Sequence, residues 1–142
     1  LARTTTKELA RCSLGYRSRY VSETAKMVYE DGFEFKCLRE MPYDKAREEL
    51  LDFPGVGMKV ADCVLLFSLG KLEAFPVDLW MKRVVLKYYA SHFPSEFVRK
   101  ISSRKFFTIS EYKKLSLFGQ RYFGEYAGYA QEYLYHYERT RC

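Results

Sequence analysis

Phe53-Pro54-Gly55-Val56-Gly57-Met58-Lys59-Val60-Ala61-Asp62-Cys63 reads as the end of one helix, a tight turn and the opening of another, with Pro76-Val77-Asp78 downstream. Before the turn, Tyr43 to Asp52 has helical spacing with Ala46, Leu50 and Leu51 inward. After it, the run Met58 to Leu69 is helical and Gly70 closes it. A helix N-terminus offers unpaired N–H donors and about half a positive charge. Gly55 and Gly57 remove the side chains that would hold an anion away, so the turn reads as a backbone clamp for phosphate. A plain pair of helices with glycines at a C-cap fits the same residues, and on Gly-x-Gly alone the two readings stand level.

Lys59 lies in the first turn of the second helix, where the helix dipole disfavours another positive charge. Partial burial is expected to lower its pKa further, leaving some neutral amine near pH 7, which makes a lysine nucleophilic. Taken alone, this residue fits a solvated lysine or an ordinary phosphate contact better than a nucleophile. Cys63 and Phe67 follow at i+4 and i+8 on the same helix face, so lysine, thiol and aromatic ring share one stripe. Core packing is the expected role of Phe67. Asp78 comes nineteen residues after Lys59 and stands where an N-cap belongs, before the helical run Leu79 to Ala90. A capping carboxylate stays ionised and oriented, and can stabilise an oxocarbenium-like sugar.

Outward from this stretch the periodicity stays helical and no strand is apparent, so the fold class is all-α. Thr5 and Glu8 form a capping box for a helix ending near Gly15. A second helix carries Val21, Ala25, Val28 and Tyr29 on one side and stops at Gly32, with an irregular stretch from there to Pro42. A helix is expected near Pro94 to Ser102, and Thr108 with Glu111 caps another that reaches Tyr122. Gly124 interrupts the pattern before a last helix through Tyr129, Gln131 and Tyr135 towards Arg139.

Length and composition suit one domain, residues 1–142, with the hairpin at about 43–69. At 142 residues and 48% hydrophobic content a core is feasible and disorder is excluded. Net charge +6 and pI near 9.1 suit a polyanionic partner, on weak evidence. No apolar run approaches the ~20 residues of a membrane span. With no signal peptide the expected setting is intracellular and reducing. The first residue is Leu1 rather than Met, as in a piece of a longer chain. Cys12, Cys37, Cys63 and Cys142 are spaced 25, 26 and 79 residues apart, which argues against zinc and iron–sulfur motifs and for reduced thiols. His92 and His136 have no ligand spacing and read as partly exposed side chains.

Taken with its flanks, the hairpin resembles the helix-hairpin-helix, Gly-Pro-Asp superfamily of DNA glycosylases, and within it the 8-oxoguanine DNA glycosylase/AP lyase family. The likeness extends over Leu14-Gly15-Tyr16-Arg17-Ser18-Arg19-Tyr20-Val21 and Tyr126-Ala127-Gly128-Tyr129-Ala130-Gln131-Glu132, and so over about Leu9 to Tyr135. The resemblance implies a bifunctional enzyme that flips an oxidised purine from double-stranded DNA and acts as a monomer. Lys59 would be the nucleophile and Asp78 its catalytic partner. Cys63 and Tyr135 would sandwich the flipped base while Gln131 reads its Watson–Crick edge. Tyr16 would wedge into the gap and Arg17 would meet the estranged cytosine, with Gly55, Val56 and Gly57 on the DNA backbone. No cofactor is required by this resemblance. It does imply a monovalent cation, Na or K, on the backbone carbonyls of Leu51, Phe53 and Val56.

Departures from the family pattern bear on those roles. Family members have further helices, and some a strand-bearing domain, ahead of the point where this chain begins. Trp80 stands where many relatives have a histidine near the DNA backbone, and Tyr135 replaces a common phenylalanine. The chain continues 11 residues past Gln131, a reach of about 16 Å if helical. Two rival readings follow. A monofunctional glycosylase would release base without cutting the strand, and a non-catalytic DNA-binding module or inactive piece would bind duplex in a salt-sensitive way without turnover.

Overall fold

Capping chemistry sets where three of the helices begin. In the structure, a computed structural model that describes residues 1–141, Thr5 and Glu8 form the reciprocal capping box that opens α1 (Thr6–Ala10). Thr108 and Glu111 do the same for α8 (Ile109–Phe123), and the Asp78 side chain caps α6 (Leu79–Tyr89). The remaining helices are α2 (Arg17–Glu30), α3 (Phe35–Glu40), α4 (Tyr43–Leu51), α5 (Met58–Leu69), α7 (Ser95–Ser102) and α9 (Ala127–Arg139). Short 3-10 turns at Ala90–His92 and Gly124–Tyr126 follow α6 and α8. No strand occurs among the described residues, and none of their helices is long and apolar enough to cross a membrane. The fourth cysteine, Cys142, lies outside the described residues; Cys12, Cys37 and Cys63 are free thiols.

The chain divides into two compact units that meet in sequence at the hairpin turn, Leu1–Gly57 and Met58 onward. In the first, α1 packs on α2 and α3 on α4, over Leu9, Leu38, Ala46, Leu50 and Phe53. Phe33 sits edge-on to both Phe35 and Phe53, at 5.0 and 4.9 Å between ring centres. Three expectations fail here. The stretch before Pro42, expected to be irregular, contains α3, which has no side-chain cap and buries only Leu38, too little for a periodic signal. Helix α1 stops at Ala10, well short of Gly15. On α2 the buried residues are Ser18 and Ser22, while Tyr29 is 65% exposed. Ser18 can face inward because its Oγ donates to the Gly15 carbonyl at 2.8 Å, which satisfies the buried hydroxyl.

The second unit is built around Phe75 and Val77, both fully buried, with Leu65 of α5, Met81, Val84 and Val85 of α6, Ile101 of α7 and Leu115 of α8. Helix α9 packs on α6 and α8. Two glycines set how closely the helices approach. A Cβ on Gly119 would fall 2.2 Å from the Phe75 ring, and one on Gly128 would fall 2.2 Å from Leu66 Cδ1. The Gly128 N–H also donates to the Leu72 carbonyl at 2.8 Å, tying the start of α9 to the loop after α5.

Gly119→Ala tests this packing. Helix propensity alone favours alanine by up to about 1 kcal/mol. The clash with a buried ring should reverse the sign and destabilise the chain by about 1–3 kcal/mol, read from urea unfolding.

Candidate active site

Helix α5 presents two faces. Met58, Ala61, Asp62, Leu65, Leu66 and Leu69 point into the second unit, which leaves Lys59, Cys63 and Phe67 on the other side. The α5–α6 loop returns through buried Pro76 and Val77 to Asp78, whose Oδ1 accepts from the Met81 N–H at 2.7 Å. From α9 come Gln131, 6% exposed, and half-buried Tyr135 one turn later. Lys59, Cys63, Phe67, Pro76, Asp78, Gln131, Glu132 and Tyr135 together line one cleft of about 160 Å³. Ligand sites for drug-sized molecules run to roughly 300–1,000 Å³, so this one suits a single flat ring system.

All five residues expected to form the reacting centre and base pocket (Lys59, Cys63, Asp78, Gln131 and Tyr135) therefore stand around one space. Two details differ from expectation. Phe67, expected in the core, is 62% exposed and forms part of the cleft wall. Lys59, expected to be partly buried, is exposed, because the second position of α5 faces away from the core. Cys63 is half-buried, and burial pushes its thiol above the ordinary range. The Lys59 ammonium and its hydrogen bond to the thiol oppose that rise, while the charges of Asp62 and Asp78 add to it.

Tyr135 and Gln131 are prepared in opposite ways. The Arg139 guanidinium donates to the Tyr135 hydroxyl at 2.9 Å, so the ring that replaces a phenylalanine gains an anchor at its outer edge. Gln131 Oε1 is buried with no partner, an amide ready to bond whatever enters the cleft. Trp80, half-buried, likewise leaves its indole N–H without a partner.

The other expected residues lie in the first unit. Tyr16 precedes α2 and is 72% exposed, with the Arg17 guanidinium 4.8 Å from its ring centre. Gly55 has φ +76°, and a Cβ there would strike the Tyr20 ring at 2.4 Å, so a side chain is excluded on two counts. The Val56 N–H donates to the Phe53 carbonyl at 3.0 Å and closes the turn, and Gly57 faces open space.

A buried network escaped the sequence reading. Asp62, wholly buried, accepts from the Tyr112 hydroxyl at 2.5 Å and from Ser116 Oγ at 3.5 Å. The Tyr112 hydroxyl in turn accepts from the Val77 N–H at 3.4 Å, one residue before Asp78. Asp62 was visible inside the motif, but nothing in the spacing identifies Tyr112, fifty residues on, as its partner.

No protein-family model matches the chain. Among curated proteins, it is 36% identical over 93% of its length to a probable N-glycosylase/DNA lyase of Methanothermobacter thermautotrophicus, of which it covers 37%. It is 30% identical to the N-glycosylase/DNA lyase of Saccharomyces cerevisiae, matching 94% of this chain and 40% of that one. A solved structure of MBOgg1 with a low-affinity DNA ligand superposes with TM-score 0.81 at 30% identity, over 99% of this chain and 43% of that one. The Clostridium acetobutylicum 8-oxoguanine glycosylase/lyase, bound to double-stranded DNA with cytosine opposite 8-oxoguanine, gives TM-score 0.80 at 33% identity, over 99% and 43%. The chain thus spans about two fifths of the length of these relatives.

Two measurements check the geometry. Tyr112→Phe removes the hydroxyl between Val77 and Asp62, leaves a buried carboxyl short of a donor, and should destabilise the chain by about 1–3 kcal/mol in urea unfolding. Iodoacetamide alkylation of Cys63, followed by peptide mass spectrometry across pH, should show a midpoint above that of a free cysteine peptide. Lys59→Gln removes the interaction that lowers it, so the midpoint should move higher still; a downward shift would contradict the contact.

Proposed function

Because the chain belongs to the 8-oxoguanine DNA glycosylase/AP lyase family, we propose that it removes 8-oxoguanine from duplex DNA and then cuts the strand through a Schiff base at Lys59. The observation that carries this reading is the meeting of Lys59, Asp78, Gln131, Cys63 and Tyr135 at one cleft of about 160 Å³. Each has chemistry suited to one part of the reaction.

Duplex DNA hides its bases, so the damaged nucleotide has to leave the stack at a cost of a few kcal/mol. Tyr16, exposed at the start of α2, fills the vacated gap, and Arg17 bonds the estranged cytosine. The flipped base enters between Cys63 and Tyr135, whose ring the Arg139 contact holds in place. Gln131 bonds its Watson–Crick edge, which supplies the partner its buried carboxamide lacks.

Exposure of Lys59 leaves its amine free to reach the sugar. Once the ammonium has given up a proton, its nitrogen lone pair forms a bond to C1′ as the C1′–N9 bond breaks, and the electron pair of that bond leaves with the base, which takes up the proton the amine released. Positive charge develops on the sugar in this step, and the Asp78 carboxylate, oriented by the Met81 N–H, stabilises it. Loss of the amine proton and ring opening give an imine between Lys59 and C1′. Removal of a C2′ proton then expels the 3′ phosphate by β-elimination, cutting the strand 3′ to the lesion.

The turn supports this chemistry by holding DNA. Backbone N–H groups of Gly55 and Gly57 take a DNA phosphate, since glycines keep side chains out of the approach, while the Val56 N–H, spent on the Phe53 carbonyl, holds the turn in shape beside it. For the cation, the carbonyls of Leu51, Phe53 and Val56 are a neutral, hard oxygen set that suits Na or K. The turn closed by Val56 on Phe53 carries two of these carbonyls, and Leu51 ends α4 just before it, a grouping that fits such an ion. When bound, the ion would add positive charge beside the phosphate.

Borohydride trapping on an 8-oxoguanine:cytosine duplex tests the mechanism. Wild-type protein should give a covalent adduct at Lys59 by intact mass, and Lys59→Gln should give none; an undiminished adduct in that variant would sink the proposal. Asp78→Asn separates charge from capping. Asparagine caps as well as aspartate, so stability should change by less than about 0.5 kcal/mol. Excision under single-turnover conditions should nevertheless fall about 10²–10³-fold, the usual cost of losing one such electrostatic group.

A further inference from the structure

The second unit holds another concave surface, which the chemistry above does not use. A groove of about 440 Å³ is lined by the cations Lys82, Arg83, Lys87, Arg104 and Lys105, with no acidic side chain in its lining. Its construction rests on Lys82. That residue is 4% exposed, and its Nζ donates to the carbonyls of Ile101 at 3.1 Å and Arg104 at 2.6 Å. These bonds stake the end of α7 and the loop after it onto α6, so Arg104 and Lys105 line the same groove as Arg83 and Lys87.

Concentrating like charges is unfavourable, and here even the anchoring group feels it. Burial, with the Arg83 charge beside it, holds the Lys82 ammonium below its ordinary value. Acids relieve only some of the cations. Glu138 lies 2.5 Å from Lys87, and Glu111 lies 3.4 Å from Arg104 and 3.8 Å from Lys100. Arg83 and Lys105 take no ion pair among the described residues. A groove with this composition is electrostatically incomplete without an anion.

We propose that it is a second binding site for a phosphodiester backbone, holding duplex DNA a few nucleotides from the flipped base. The inference rests on reading the cleft as the site where that base is processed. Its position suits the role: the groove is lined along α6, which begins at Asp78, and Leu79 is among its lining residues. At about 1.5 Å per helical residue, Arg83 and Lys87 stand roughly 7 and 13 Å along the helix from Asp78. A DNA strand advances about 3.4 Å per phosphate along its axis, so the groove would meet phosphates about two to four nucleotides away. Arginine and lysine on both walls, with the Ser102 hydroxyl, offer bidentate and single donors to successive phosphates.

Salt-dependent affinity for an undamaged duplex long enough to span both sites, read by fluorescence anisotropy, tests the proposal. Arg83→Gln with Lys105→Gln should lower the slope of log K against log salt by about 1.8, two phosphate contacts at 0.9 each. The charge-preserving pair Arg83→Lys with Lys105→Arg should restore it. A control pair, Lys26→Gln with Lys113→Gln, removes the same charge from exposed positions outside the groove and should leave the slope near wild type. An unchanged slope in the groove variant, or an equal drop in the control, overturns the proposal. If the slope falls as expected while wild-type protein shows no excision, the groove stands as a backbone site and the catalytic reading fails separately.

Discussion

Asp62 is wholly buried, one helical turn from Lys59, and the Tyr112 hydroxyl donates to it at 2.5 Å while accepting from the Val77 N–H. Through one side chain of α8, this contact links the helix carrying the lysine to the loop carrying Asp78. A buried carboxyl must be hydrogen-bonded, so the arrangement has little freedom to slip. Whatever Lys59 and Asp78 do together depends on their relative position, and that position is held from below rather than from within the cleft. The lysine itself can then stay exposed, with its backbone fixed by a partner three residues on.

Close helix approach completes the site. Gly119 lets α8 press on Phe75, and Gly128 lets α9 press on Leu66, at distances that leave no room for a methyl group. The second contact brings the start of α9 against the loop after α5, and Gln131 and Tyr135 follow three and seven residues later. Gln131 reaches the cleft buried and without a partner for Oε1, a strained state for an amide unless a ligand completes it. Polar groups left unpaired at a site are where binding specificity is strongest, since a ligand that cannot satisfy them is rejected.

Charge in the second unit is distributed in a similar way. At the cleft, the Lys59 cation faces a thiol, the Asp78 carboxylate and Glu132, a mixed set suited to bond making. Along α6 the groove holds cations almost alone, a set suited to holding an anion and nothing more. The net charge of +6 is therefore less informative than its placement.

Helix boundaries with a local chemical cause were legible in the sequence. The capping boxes at Thr5 and Thr108, the cap at Asp78 and the span Met58–Leu69 are all found as read, because caps and 3.6-residue periodicity act over a few neighbouring residues. The pairing of Lys59 with Asp78, and of Gln131 with Tyr135, was legible for the same reason, through motif spacing. Exposure was not. Phe67 and Tyr29 face outward, Lys59 is exposed, Ser18 and Ser22 face inward, and α3 forms around a single buried leucine. Each of those depends on which surface another element covers, and hydrophobicity along one helix carries no record of its neighbour. The Tyr112–Asp62 bond and the groove staked by Lys82 join residues fifty and about twenty positions apart. Local chemistry in the chain settled where helices start and which groups could react, while tertiary packing alone decided which of those groups meet, because burial and hydrogen-bond partnership are properties of pairs of elements.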